Sequence, residues 1–201
     1  MRAVLFDLGN VLVRLDYARA AARYASLRGG ESVDLAALYG LPEVEAIARG
    51  TITHPQLYAA LGSALAVSLD EDAWRDVWCD LFSPFPEMEA LAEEVIAAGH
   101  PTFLASNTDR AHFEHVAPRL PVLTRMRGLH LSYEVGALKP EPAFFTRLVT
   151  RFGLEAKDCV FLDDRGDNVA AARALGIEAE VFTGDPAAAR AFLRRAGVRI
   201  L

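Results

Sequence analysis

From residue 87 onward the chain repeats one unit, a short apolar run followed by an amphipathic stretch long enough for a helix. The pattern predicts strands over 102–105, 128–132, 159–162 and 179–182, with helices over 87–98, 109–118, 141–152, 167–175 and 186–196. Consecutive strands joined through a helix must run parallel, and right-handed crossovers place the helices on both faces of one sheet. A further run, Val4, Leu5 and Phe6, has the branched and aromatic character of a buried strand and must join that sheet from the N-terminal end. The expected fold is therefore α/β, a doubly wound parallel sheet of five strands with a Rossmann-type core.

Residues 16–82 break the alternation with helical patterning. Asp16 is placed to cap a helix running to Arg28, with Gly29 and Gly30 as its stop. Ser32 is the expected cap of a shorter helix ending near Gly40, and Pro42 opens a third. Thr53 before His54 and Pro55 starts a fourth through Leu57, Leu61 and Leu65, and Asp70 a fifth carrying Trp74, Trp78 and Phe82. Trp74 and Trp78 share a helix face and read as core of this block. Pro84 and Pro86 exclude a helix interior and a central strand, so the stretch from Ser83 to Pro86 reads as a hinge. The domain organisation expected is an α/β core from residues 1–14 and 84–201, with a small helical cap, 15–83, inserted after the first strand.

Charge and composition exclude several roles. Acidic residues outnumber basic ones 27 to 21 without a basic run or basic helix face, so no footprint for nucleic acid is expected. Cys79 and Cys159 lie far apart, which suits reduced structural thiols in a cytoplasmic protein rather than a disulfide framework or zinc site. No charged-then-apolar leader precedes the first strand, and no apolar run approaches the ~20 residues needed to span a bilayer. Monomer and homodimer both remain open.

Polar residues gather where the strands end, which is where open α/β sheets bind ligands. Asp7 stands at the tip of the first strand, before Gly9 and Asn10, and is the candidate nucleophile. Ser106, Asn107 and Thr108 follow the next strand, where a hydroxyl and free N–H groups suit a phosphate. Lys139, beside Pro140, is a candidate cation to offset phosphoryl and carboxylate charge. Asp163 and Asp164 repel one another at a buried strand tip and need a counter-charge, for which a hard divalent cation such as magnesium is suited. Taken singly, each stretch also fits an Asx-turn, a capping turn, a surface lysine or a helix cap. His112 and His115 read as surface positions, while His100 and His130 have no partner that the sequence identifies.

The ordered set, Asp7-Leu8-Gly9-Asn10-Val11, Ser106-Asn107, Lys139-Pro140 and Asp163-Asp164 with Asn168, resembles the haloacid dehalogenase-like (HAD) hydrolases across nearly the whole chain. Within that superfamily, Phe6 to Val11 and Leu104 to Thr108 are most similar to the bacterial α-D-glucose-1-phosphate phosphatase subgroup. The resemblance implies a magnesium-dependent phosphatase acting on a small phosphorylated metabolite, a sugar phosphate by the subgroup, with a mobile cap over the site. It implies an aspartyl-phosphate on Asp7, phosphate contacts from Ser106 and Asn107, and charge neutralisation by Lys139. It further implies magnesium held by Asp7, the carbonyl of Gly9 and Asp164, with Asp163 and Asn168 orienting those groups.

One position departs from the family pattern. Most family phosphatases carry a second aspartate two residues after the nucleophile, as general acid, and here that residue is Gly9. Losing acid–base help costs ~10²–10⁴ in rate. A good leaving group such as the anomeric hydroxyl of a sugar 1-phosphate would tolerate the loss, and Asp16 or His54 in the cap are alternative donors. Two other functions stay open: a metal-free 2-haloacid dehalogenase, which needs no acid, and a catalytically weak protein that binds a phosphorylated metabolite.

Overall fold

A computed structural model describes residues 1–200. The chain opens with β1 (Ala3–Phe6) and passes through β2 (Val13–Leu15) into helices α1 (Tyr17–Leu27), α2 (Leu35–Tyr39), α3 (Pro42–Ala48), α4 (His54–Leu65) and α5 (Glu71–Cys79). It returns through β3 (Phe82–Pro84) to α6 (Pro86–Ala97), β4 (Thr102–Ser106), α7 (Arg110–Val116), β5 (Gly128–Leu131), α8 (Ser132–Val135) and α9 (Pro142–Phe152). The last elements are β6 (Cys159–Asp163), α10 (Gly166–Ala174), β7 (Glu178–Val181) and α11 (Pro186–Arg195).

The five-stranded sheet has the order β5-β4-β1-β6-β7 and is parallel throughout. Alternation along the strands divides the core. Val4, Phe6, Leu104 and Leu162 face α6 and α11, where they meet Met88, Leu91, Phe192 and Leu193. Leu5, Phe103 and Phe161 face the other way, onto Phe144, Phe145 and Leu148 of α9 and Val169 of α10. With both faces covered, the three inner strands β1, β4 and β6 are buried along their whole length, as a parallel sheet requires. β1 lies at the centre with chain leaving it in both directions, so its tip is the topological switch point.

The helical segment has its own apolar cluster, including Tyr24, Leu57, Leu61, Trp74 and Trp78. Asp16 and Asp70 cap α1 and α5 as the sequence predicts, accepting from the N–H groups of Arg19 and Ala73. Two local expectations are corrected. The cap of α2 is Asp34, not Ser32, because Asp34 immediately precedes Leu35 and its carboxylate reaches the N–H groups of both Ala36 and Ala37. Phe82 does not continue α5, which stops at Cys79; it pairs with Leu15 in an antiparallel ribbon of β2 and β3. Pro84 sits at the end of that ribbon, opposite Val13, where its missing N–H is tolerated. The histidines without a sequence partner are structural: His100 Nδ1 meets the Arg2 carbonyl and its Nε2 accepts from Arg199 N–H, while His130 Nε2 meets the Phe144 carbonyl. Cys79 and Cys159 are free and buried. Among the described residues no helix is long and apolar enough to cross a membrane.

Candidate active site

Register assembles the site. Phe6 lies level with Leu104 on one side and Leu162 on the other, so the next residue, Asp7, stands between Ala105 and Asp163. Lys139, in the loop before α9, reaches into this row. Its Nζ is 2.7 Å from Asp7 Oδ1 and 2.6 Å from Asp163 Oδ2, and it donates to the Ala105 carbonyl at 2.8 Å. The lysine is fixed by its backbone: its N–H donates to Asn107 Oδ1 and its carbonyl accepts from Asn107 Nδ2, both at 2.8 Å. Asn107 thereby joins the turn after β4 to the lysine loop. Thr108 is held in the same turn by reciprocal hydrogen bonds with the buried Ser132 hydroxyl at the start of α8.

Asp163 is almost fully committed. Its Oδ2 takes Lys139, and its Oδ1 accepts from Asn168 Nδ2 and the Arg165 N–H, each at 2.9 Å. Asp164 is oriented by Asn10, whose Nδ2 donates to Oδ2 at 2.9 Å while its Oδ1 accepts from Leu15 N–H. Asn10 has φ of 54°, a left-handed conformation that asparagine adopts more readily than most residues. Its role in orienting Asp164 could have been sought from an asparagine following a glycine at a strand tip.

Burial pushes the Asp7 carboxyl up to about 7, against the opposing pull of Lys139 and with Asp163 adding to the rise. Burial also acts to lower the Lys139 ammonium, but the two carboxylates more than offset it and hold it above its usual range. Carboxylate oxygens of Asp7, Asp163 and Asp164 come within 4.8 Å of one another, with one ammonium among them. This donor set, all hard oxygen and short of positive charge, fits a divalent cation of the magnesium type.

A cleft of about 450 Å³ opens over the strand tips at Gly9, Ser106 and Asn107, roofed by residues of α1, α2, α3 and α5. Tyr17 lines it; Arg19 instead binds the Phe82 carbonyl and Asp80, Arg49 pairs with Glu45 and Glu141, and Tyr58 is buried within the helical segment. The alternative proton donors of the sequence reading do not line the cleft: Asp16 caps α1, and His54 Nε2 is engaged by Asp109 Oδ1 at 2.9 Å.

His112 corrects its expected surface placement. Its side chain is 12% exposed, its ring stacks on Trp78 at 4.6 Å, and its Nε2 donates to the Trp78 carbonyl at 2.8 Å. Beside it, Asp109 is a residue that sequence reasoning did not single out. This buried carboxylate caps α7 through the Ala111 and His112 N–H groups. It also meets His54 of α4, Trp78 Nε1 of α5 and His112 Nδ1. Burial acts to raise the Asp109 carboxyl, but the His112 imidazole and hydrogen bonds from His112 and His54 hold it well below the usual carboxylate range.

Known proteins share the fold and sequence features of this chain. Drimenol cyclase drtB of Aspergillus calidoustus is 26% identical over 186 residues, covering 90% of this chain; the chain spans only 34% of that relative. Sesquiterpene phosphatase astK of Aspergillus oryzae is 25% identical over 178 residues, covering 88% of this chain and 87% of the relative. Among solved structures, a HAD family enzyme of Bacteroides thetaiotaomicron in complex with magnesium and inorganic phosphate superposes with a TM-score of 0.79 at 21% identity, covering 92% of this chain and 95% of that one. An L-2-haloacid dehalogenase shares the fold at a TM-score of 0.64 and 20% identity, covering 90% of this chain and 83% of that one. The sequence profile of the haloacid dehalogenase-like hydrolases matches residues 1–176. The chain therefore belongs to the haloacid dehalogenase-like hydrolases.

Proposed function

We propose that the protein is a magnesium-dependent phosphatase that hydrolyses a small phosphorylated metabolite through a phosphoryl group held transiently on Asp7. The observation that carries this reading is the cluster of three carboxylates met by a single ammonium at the switch point of the sheet. The Asp7 carboxylate attacks phosphorus, the bond from phosphorus to the ester oxygen breaks, and the electron pair leaves with that oxygen, which takes a proton from water to become the alcohol. Water then attacks phosphorus, releasing inorganic phosphate and restoring the carboxylate. The Ser106 hydroxyl and the backbone N–H groups of the turn through Asn107 hold the phosphoryl oxygens, and Lys139 offsets charge on Asp7 and on the phosphoryl group. Asp7, the Gly9 carbonyl and Asp164 hold magnesium, which when bound supplies the positive charge that lets one anion approach another. Asp163 and Asn168 keep Lys139 and the β6 turn in place. The phosphatase among the relatives supports a phosphate monoester as substrate.

The test is inorganic phosphate release from a panel of sugar phosphates, nucleotides and a nitrophenyl ester, with magnesium or with chelator. Release that needs magnesium and vanishes in Asp7→Asn is the expected result. Halide release from a 2-haloacid in chelator, without phosphate release, would make the protein a dehalogenase. Binding of phosphate esters without turnover of either class would make it a phosphometabolite-binding protein.

Position 9 offers no acid, so the leaving-group argument favours esters whose alcohol leaves with little protonation, a class that includes sugar 1-phosphates and aryl phosphates. Gly9→Asp tests that argument. A Cβ at Gly9 would come within 3.0 Å of Leu15 Cδ1, a movable side-chain end, so the variant can be accommodated by a small shift of that leucine. Rates on simple alkyl phosphates are expected to rise about tenfold or more, with little change on the nitrophenyl ester. Equal rates for variant and parent on both would show that leaving-group protonation does not limit turnover.

A further inference from the structure

We infer that the group carried by the phosphate is a hydrocarbon, so that the substrate is the monophosphate of an apolar alcohol or phenol rather than of a sugar; the inference rests on the phosphatase reading above. The cleft over the strand tips sets the argument. Away from Ser106 and Asn107 it is lined by Leu15, Leu35, Val44, Ala48, Leu81 and Phe82. Tyr39 and Trp78 add aromatic surface to the same cleft.

The polar groups that do line the cleft are already engaged with the protein. Asn107 spends its amide on the Lys139 backbone, and the Thr108 hydroxyl donates to the Asp109 carbonyl. The Asp109 carboxylate meets His54, Trp78, His112 and the α7 N–H groups, and His112 Nε2 meets the Trp78 carbonyl. Beyond the phosphate end, Tyr17 is the lining side chain that keeps a hydroxyl for a ligand, because the Tyr39 hydroxyl is buried beside Tyr24. A hexose would bury several hydroxyls against these walls without partners, and each unmatched one weakens binding by roughly tenfold. A hydrocarbon loses nothing there and gains from leaving water.

Position 9 points the same way. A Cβ at residue 9 would meet the Leu15 side chain at 3.0 Å, so hydrocarbon borders the position two residues after the nucleophile.

The experiment compares esters that share one leaving-group chemistry. Primary alkyl monophosphates from ethyl to octyl are assayed with the wild-type protein and magnesium beside hexose 6-phosphate, whose phosphate is likewise on a primary alcohol. The expected result is a kcat/KM that rises roughly threefold per methylene, and hexyl phosphate at least about tenfold above hexose 6-phosphate. In Ala48→Trp, which narrows the cleft, the rise with chain length is expected to flatten. A flat or falling series in the wild type, or hexose 6-phosphate above hexyl phosphate, would overturn the hydrocarbon assignment and leave the phosphatase reading standing. Folded protein that releases no phosphate from any ester would overturn both.

Discussion

Lys139→Met is expected to cost the protein both its activity and several kcal/mol of stability. The ammonium is 1% exposed and pairs with two carboxylates that are themselves buried. Removing one partner from a buried ion network leaves uncompensated charge, at a cost of roughly 3–5 kcal/mol. For a chain of this length, that corresponds to a fall in Tm of about 6–20 °C. The loss should depend on pH in a defined direction. Burial already holds the Asp7 carboxyl above its unfolded value, so stability tied to this group is present at low pH and lost as pH rises through its folded pKa of about 7. Without Lys139 the folded value rises further, and the Tm deficit measured by calorimetry in chelator is therefore expected to shrink as the solution is acidified. Phosphate release should fall at least about a hundredfold, because the cation no longer offsets the charge of nucleophile and phosphoryl group. A variant with Tm within 2 °C of the parent, by the scale of about 2–4 °C per kcal/mol, would show that Lys139 is not the cation this site depends on.

Asp109→Ala is expected to have the second largest effect, through packing rather than chemistry. The side chain caps α7, and the same carboxylate meets His54 from α4 and Trp78 from α5. Loss of a cap costs about 0.5–2 kcal/mol, and a stranded buried donor such as Trp78 Nε1 about 1–3 kcal/mol more. Chemical denaturation should therefore show a loss of roughly 2–5 kcal/mol. Asp109→Asn keeps one acceptor oxygen and should recover part of that stability. Because the residue holds the roof of the cleft against the turn that carries Ser106 and Asn107, KM should rise in both variants more than kcat falls. Unchanged stability and KM in the alanine variant would remove Asp109 as the link between the helical segment and the sheet.

The parts of the site that were legible in the sequence are those that follow from strand order alone. Asp7, Ser106 and Asp163 each end an apolar run, and in a parallel sheet such ends lie side by side at one edge. Lys139 was legible for its charge and neighbouring proline, but not for its contacts. That it bridges Asp7 to Asp163 depends on the loop geometry that Asn107 fixes from 32 residues away. Asp109 was visible only as a helix start, since capping is a local signal whereas its other partners lie 55 and 31 residues away in the helical segment. His112 was misplaced for the same reason: helical spacing gives a face, but it cannot say that α5 and the Trp78 ring will cover that face. The ribbon of β2 and β3 was hidden because two prolines suppress strand character, although an edge of three residues tolerates one of them.

The most direct measurement is covalent trapping. The protein is mixed with magnesium and a phosphate ester labelled at phosphorus, quenched in acid within a turnover, digested, and mapped for retained label. The account predicts label on the peptide bearing Asp7, released by hydroxylamine as an acyl phosphate should be, and absent from Asp7→Asn. Phosphate release that persists in Asp7→Asn, or label retained on any other residue, would contradict it.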